Sequence, residues 1–127
     1  MKRSEKDLAG RIKDVIIEMV HYLESHPVIN YSQYISHKLK YDYTYLSNIF
    51  SQETTTTIEQ CIIAHKIERV KQLLIADELT LTQIAARLHY SSVAHLSNQF
   101  KKVTGITSSE YKGKKNKKMP DLDKVCN

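Results

Sequence analysis

Apolar residues recur along this chain at the three- and four-residue spacing of a helix. In residues 4–25, Leu8, Ile12, Val15, Ile16, Met19, Val20 and Leu23 share one broad face. Ser4 with Asp7 is a candidate cap, Gly10 weakens the first turns, and His26-Pro27 stops the element. A short helix follows, packed by Tyr31, Tyr34, Ile35 and Leu39, and a turn at Lys40-Tyr41-Asp42 leads into a helix over residues 43–54 that buries Leu46, Ile49 and Phe50. Residues 57–75 carry Ile58, Ile62, Ile63, Ile67, Val70, Leu73 and Leu74 at helical spacing. After the loop at Asp77-Glu78, Thr80 and Gln83 form a capping box at the head of a helix striped by Ile84, Ala85 and Leu88. His89-Tyr90-Ser91 interrupts it. Ser91 or Ser92 then caps a helix that turns Leu96, Phe100 and Val103 inward and ends at Thr104-Gly105. Residues 108–112 add a last helical turn, with Tyr111 packing. Only three Gly and two Pro occur, which favours helices and short turns over sheets.

The pattern is said twice. Leu46-Ser47-Asn48-Ile49-Phe50 returns as Leu96-Ser97-Asn98-Gln99-Phe100, 50 residues later. Ile35, Leu39 and Tyr41 precede the first copy as Ile84, Leu88 and Tyr90 precede the second, and Thr57 follows as Thr107 does. Each copy is two helices joined by a short turn, a helix-turn-helix. The expected fold is all-α, with two helix-turn-helix subdomains joined by a long linker helix. Its parts are 1–56 (N-terminal helix and first helix-turn-helix), 57–75 (linker), 76–112 (second helix-turn-helix) and 113–127 (a basic, disordered tail). At about 1.5 Å per residue the linker spans close to 28 Å, near one turn of B-DNA, and reads as a strut between two readers.

The outward faces carry candidate chemistry. Opposite Leu46 and Phe50 stand Thr44, Ser47, Asn48 and Ser51. Opposite Leu96 and Phe100, Ala94, His95, Ser97, Asn98 and Lys101 face out or flank. Asn pairs with adenine through two hydrogen bonds, and Ser or Thr meets several base edges. Tyr43 and Tyr45 suit phosphate, a thymine methyl or plain packing.

Ile84-Ala85, Leu88, Tyr90-Ser91-Ser92, Leu96-Ser97-Asn98-x-Phe100-Lys101-Lys102 and Thr104-Gly105-Ile106-Thr107, with Tyr111 and Lys112 behind, resemble the AraC/XylS-type DNA-binding domain. The resemblance covers residues 14–112, specific in the second half and looser in the first. It implies sequence-specific binding of double-stranded DNA by a bacterial transcription regulator, with two recognition helices in adjacent major grooves. Carried over by position, Ala94, Ser97 and Asn98 would sit toward bases, and Lys101 and Lys102 would meet the backbone. Tyr43, Thr44, Ser47, Asn48, Ser92 and His95 complete the candidate contact set. RNA polymerase is a further candidate partner. The chain departs from the family at His89 (usually Gly), Ser108 (usually Pro), Thr55 (usually Gly) and Lys66 (commonly Arg). Neither recognition helix holds an Arg, so bidentate guanine readout is absent there, and an A·T-leaning site or heavier use of shape is expected.

Charge agrees with a polyanionic partner. The net charge is +5, and residues 101–127 alone hold eight basic against three acidic residues. The six His are scattered without zinc or H-E-x-x-H spacing, and no Gly-rich phosphate loop exists, so neither an enzyme, a metal site nor a cofactor is expected. No apolar stretch is long enough to span a bilayer and no signal peptide is visible, so a cytoplasmic protein is expected. Cys61 and Cys126 read as reduced thiols, with a disulfide as the lesser alternative. Residues 1–11 extend beyond the family's first helix. They read as a frayed end, or else as a dimer contact or a linker stub to a missing effector domain. The rival function is a helical protein-interaction module that uses this N-terminal helix.

Overall fold

The computed structural model describes residues 5–22 and 30–113. The described residues form α1 (Glu5–Ile17), a π-helical turn (Glu18–Tyr22), α2 (Tyr31–Leu39), α3 (Tyr43–Glu53), α4 (Ile58–Ala76), α5 (Leu81–Arg87), α6 (Val93–Thr104) and α7 (Ser108–Gly113), with no strand among them. The expected stop at His26-Pro27, Leu23, Ser4, Cys126 and the tail from residue 114 lie outside the described residues. The chain divides into two compact units within α4, the first reaching His65 and the second starting at Lys66.

In the first unit α1 packs on α2 and α3. Leu8, Ala9, Ile12, Val15 and Ile16 are buried with Ile35, Leu39, Leu46, Ile49, Phe50, Ile58 and Cys61 in one core. This corrects the frayed-end reading for residues 5–11. From Glu5 onward the extension is an ordered helix, and its apolar face is used in the core. Its opposite face, with Asp7, Gly10 and Asp14, is exposed. The single expected helix over 4–25 also changes character. The wider π turn buries three consecutive residues, Met19, Val20 and His21. Glu18 holds the turn to α2, accepting from the Tyr34 hydroxyl and pairing with Lys38 at 3.2 Å. His21 Nε2 meets His65 Nδ1 of α4 at 3.2 Å. Burial pushes the His65 ring down to about 4. Cys61 is fully buried.

In the second unit Ile67, Val70, Leu73 and Leu74 of α4 are buried, as are Ile84, Ala85, Leu88, Leu96 and Phe100. Val103 does not join them, at 48% exposed. It lies in the last turn of α6, past the core that Leu96 and Phe100 fill.

The duplication extends into the exits from both recognition helices. Thr54 Oγ1 donates to the Phe50 and Thr56 carbonyls, as Thr104 Oγ1 does to those of Phe100 and Ile106. Thr57 Oγ1 then accepts from Gln60 N, and Thr107 Oγ1 from Glu110 N, each a cap for the next helix. Ser108 is buried at the first position of α7, where a proline is also well tolerated, so the family's usual residue and this one fit alike.

Candidate nucleic-acid interface

The second helix-turn-helix is built from its caps inward. Thr80 Oγ1 accepts from Gln83 N while Gln83 Oε1 accepts from Thr80 N, the expected capping box. After α5 the chain reverses at His89, whose φ of 62° is left-handed, as expected where relatives have Gly. Histidine tolerates this region better than most residues with a side chain. Tyr90 is buried; its hydroxyl donates to Gln99 Oε1 at 2.6 Å, and the Lys66 ammonium sits 4.2 Å from its ring centre. Lys66 is thus a support under the turn, and its burial pushes the ammonium down to about 8. Ser92 caps α6 by accepting from His95 N.

With Leu96 and Phe100 fully buried, the opposite side of α6 is fixed. Ala94, Asn98 and Lys101 are exposed there and Ser97 is half-buried, at the spacing of a single helix face. His95 and Lys102 are exposed beside them. His95 is held in place, with Nδ1 3.1 Å from Ser91 Oγ and its ring edge-on to Tyr90.

The first unit repeats this arrangement with different surroundings. Lys40 takes the left-handed role at φ 62° and Asp42 caps α3, accepting from Thr44 N. Leu46 and Phe50 are fully buried, Thr44 and Asn48 are exposed, and Ser47 is half-buried. Tyr43 is placed differently from the other contact candidates. It packs against the core, and burial together with the Glu59 carboxylate, which its phenol bonds, pushes it up to about 12. Beside the start of α3 the exposed aromatics are Tyr41 and Tyr45, their ring centres 5.4 Å apart. Tyr41 was read as part of the turn and not as a contact candidate.

The two faces differ in charge. Lys101 and Lys102 stand in the last turn of α6, where the helix dipole favours cations. Helix α3 has no Lys or Arg and ends on Glu53, after an Asp42 cap. Among the described residues no group of three or more His, Cys, Asp or Glu could hold a metal ion, and no helix is long and apolar enough to cross a membrane.

Comparison with known proteins agrees with this architecture. The family "Helix-turn-helix domain" matches residues 35–114. An uncharacterised HTH-type transcriptional regulator of Bacillus subtilis is 29% identical over 105 residues, 82% of this chain and 13% of its own length. The xylose operon regulatory protein of Escherichia coli K12 is 26% identical over 88% of this chain and 29% of its own length. The chain thus spans less than a third of these curated relatives. Among solved structures, the C-terminal domain of AraT, a response regulator from Geobacillus stearothermophilus, superposes with a TM-score of 0.71 at 22% identity, covering 90% of this chain and 91% of that one. A DNA-binding transcriptional dual regulator from E. coli K-12 gives 0.68 at 20% identity over 83% and 88%. With two helix-turn-helix units that present one repeated polar face, and with the family matched across most of both, this chain belongs to the AraC/XylS-type helix-turn-helix family of DNA-binding transcription regulators.

Proposed function

We propose that the chain is the sequence-reading part of a bacterial transcription regulator, and that α3 and α6 enter adjacent major grooves of one duplex. The observation that carries this is the repeated outward face, Thr44, Ser47 and Asn48 on α3 and Ala94, Ser97 and Asn98 on α6, each held opposite a fully buried Leu and Phe. Asn48 and Asn98 are the adenine readers, Ser92 and His95 border the second groove, and Lys101 and Lys102 neutralise phosphate. The 19-residue helix α4 links the two readers in one chain. Such a protein works on DNA in the cytoplasm. The relatives' greater length supports a further effector or partner domain in the whole regulator, which would act through RNA polymerase. The rival protein-interaction reading, through the N-terminal helix, would have only the exposed face of α1 with Asp7, Gly10 and Asp14, since its apolar face is in the core.

The test is affinity against salt on a duplex selected from a random library. With roughly 4–8 phosphate contacts the log–log slope should be about −4 to −7. The footprint should be asymmetric, cover two half-sites about 10 bp apart, and need one protein per site. A flat salt dependence would sink the proposal, and a strictly palindromic footprint with two chains bound would overturn the tandem arrangement.

A further inference from the structure

The two turns that precede the recognition helices differ by one residue. Five positions separate Tyr41 from Leu46, but six separate Tyr90 from Leu96. Tyr41 therefore directly precedes the cap residue Asp42, while Tyr90 stands one place further from its cap, Ser92. The consequence is visible in burial. Tyr90 is 7% exposed and its hydroxyl is bonded to Gln99, whereas Tyr41 is 43% exposed. The place taken by Tyr41 in the first unit is taken by Ser91 in the second.

That place faces the third residue of the recognition helix. In the second unit the pair is polar, Ser91 Oγ to His95 Nδ1 at 3.1 Å. In the first it is aromatic, Tyr41 against Tyr45, with ring centres 5.4 Å apart and planes 30° apart. Tyr45 is 45% exposed, so both rings keep open surface. The backbone beneath them is secured. Ser36 Oγ donates to the Tyr41 carbonyl, Lys40 N–H closes on the Ser36 carbonyl, and Asp42 accepts from Thr44 N. The two rings are thus presented at the N-terminal end of α3, the end of a recognition helix that meets base edges in the major groove.

Only thymine offers an apolar group in that groove, its C5-methyl. Helix α3 carries no Lys or Arg, and Lys40 stands in the turn before Tyr41. We infer that Tyr41 and Tyr45 form an apolar reader that packs on the C5-methyl of a thymine in the first half-site, while the matching place in the second unit reads by hydrogen bonding through Ser91 and His95. The inference rests on the DNA-binding reading above and names the base class that its first reader selects.

The test removes the methyl from the DNA and leaves the protein untouched. The full 127-residue chain is titrated against its selected duplex and against duplexes in which each thymine is replaced, one at a time, by deoxyuridine. One position in the first half-site should lose about fourfold in affinity, the worth of one buried carbon at about 0.8 kcal/mol. Tyr45→Ala should bind thymine and deoxyuridine duplexes alike, Tyr45→Phe should keep the difference, and Tyr41→Ala should reduce it. No substituted position with a Tyr45-dependent loss would overturn the inference even where salt-sensitive binding persists. So would a Tyr45→Phe chain that behaves like Tyr45→Ala, because the hydroxyl and hence a phosphate would be the partner. A chain that binds no duplex overturns the DNA-binding reading itself, and this inference with it. Both tyrosines are half-exposed, so the thermal unfolding of the variants should match that of the parent chain.

Discussion

The two helix-turn-helix units keep one interior and present two different exteriors. Phe50 and Phe100 occupy the same place, both fully buried, and both receive a Thr hydroxyl on their carbonyls. Around that shared interior the first unit carries an acidic cap, an aromatic pair and no cation on its reading helix, and the second carries a serine cap, a histidine and two lysines. The helix ends differ as well. Helix α6 closes on Gly105 at φ 84°, which glycine adopts without strain, while α3 closes on Thr54 in extended backbone at φ −127°. This explains how Thr55 can stand where Gly105 stands in the other repeat: the first exit needs no left-handed residue. What is held constant is the packing and the outward Ser-Asn pair, and what varies is the charge and the aromatic character around it.

The largest test of this comparison is to empty the same place in each unit. Phe50→Ala and Phe100→Ala should each cost about 3–5 kcal/mol. The loss should fall on the unit that is hollowed, since each has its own core. Methyl NMR during urea unfolding can report Ile12, Ile16 and Ile35 separately from Ile67 and Ile84. Equal loss in both sets from either variant would mean that the division inside α4 has no thermodynamic meaning.

A smaller effect separates reading from holding on α6. Asn98→Ala should cost about 1–3 kcal/mol on the selected duplex and much less on random DNA. Lys101→Ala and Lys102→Ala should weaken both by similar factors and lower the salt slope by about one each. Asn48→Ala should resemble Asn98→Ala, but no lysine on α3 is present to supply a counterpart of the second behaviour. An Asn98→Ala chain that melts many degrees lower with its specificity intact would make the repeated Leu-Ser-Asn phrase a fold signature.

Much of this frame was legible in the residues because it is local. The Thr80–Gln83 box, the turn at His89 and the end at Gly105 each follow from short-range chemistry, and each stands where it was expected. The π turn was not legible, since its contacts come from Tyr34, Lys38 and His65, the last 44 residues away from His21. Val103 was misplaced because periodicity continues past the point where the core ends. The exposure of Tyr41 could have been read from spacing: it stands one residue closer to Leu46 than Tyr90 does to Leu96, and Tyr41 is exposed where Tyr90 is buried.

The smallest expected effect sets the two units against each other in pH. His65, fully buried in the first unit beside His21, has its proton affinity lowered by burial to about 4 from 6.5. Between those values the unfolded chain binds the proton more readily than the folded one, so stability falls as pH drops from about 6.5 toward 4. Below 4.5 Glu18 adds to this, because its carboxyl is held low chiefly by the Tyr34 hydroxyl, whose bond is weaker to the protonated form. Each tenfold change in proton affinity is worth about 1.4 kcal/mol, and relaxation that admits water to a charged ring reduces the sum, so a loss of about 1–2 kcal/mol is expected. In the second unit Lys66 runs the other way. Its ammonium is lowered by burial to about 8 from 10.5, so the folded state releases its proton first and stability rises between those values. Above 10 the tyrosines reverse the trend, since burial holds Tyr34 and Tyr43 up to about 12, and folding loses their protonated state last. The window from 8 to 10 is therefore where Lys66 acts without them. Urea midpoints at pH 5, 7.5 and 9.5 should show the first unit weakened at pH 5 and the second strengthened at pH 9.5. His65→Gln should remove most of the first change, and Lys66→Met most of the second. If both units shift together at pH 5, or if His65→Gln leaves the acid response unchanged, then the histidine pair does not set the acid limit of the first unit.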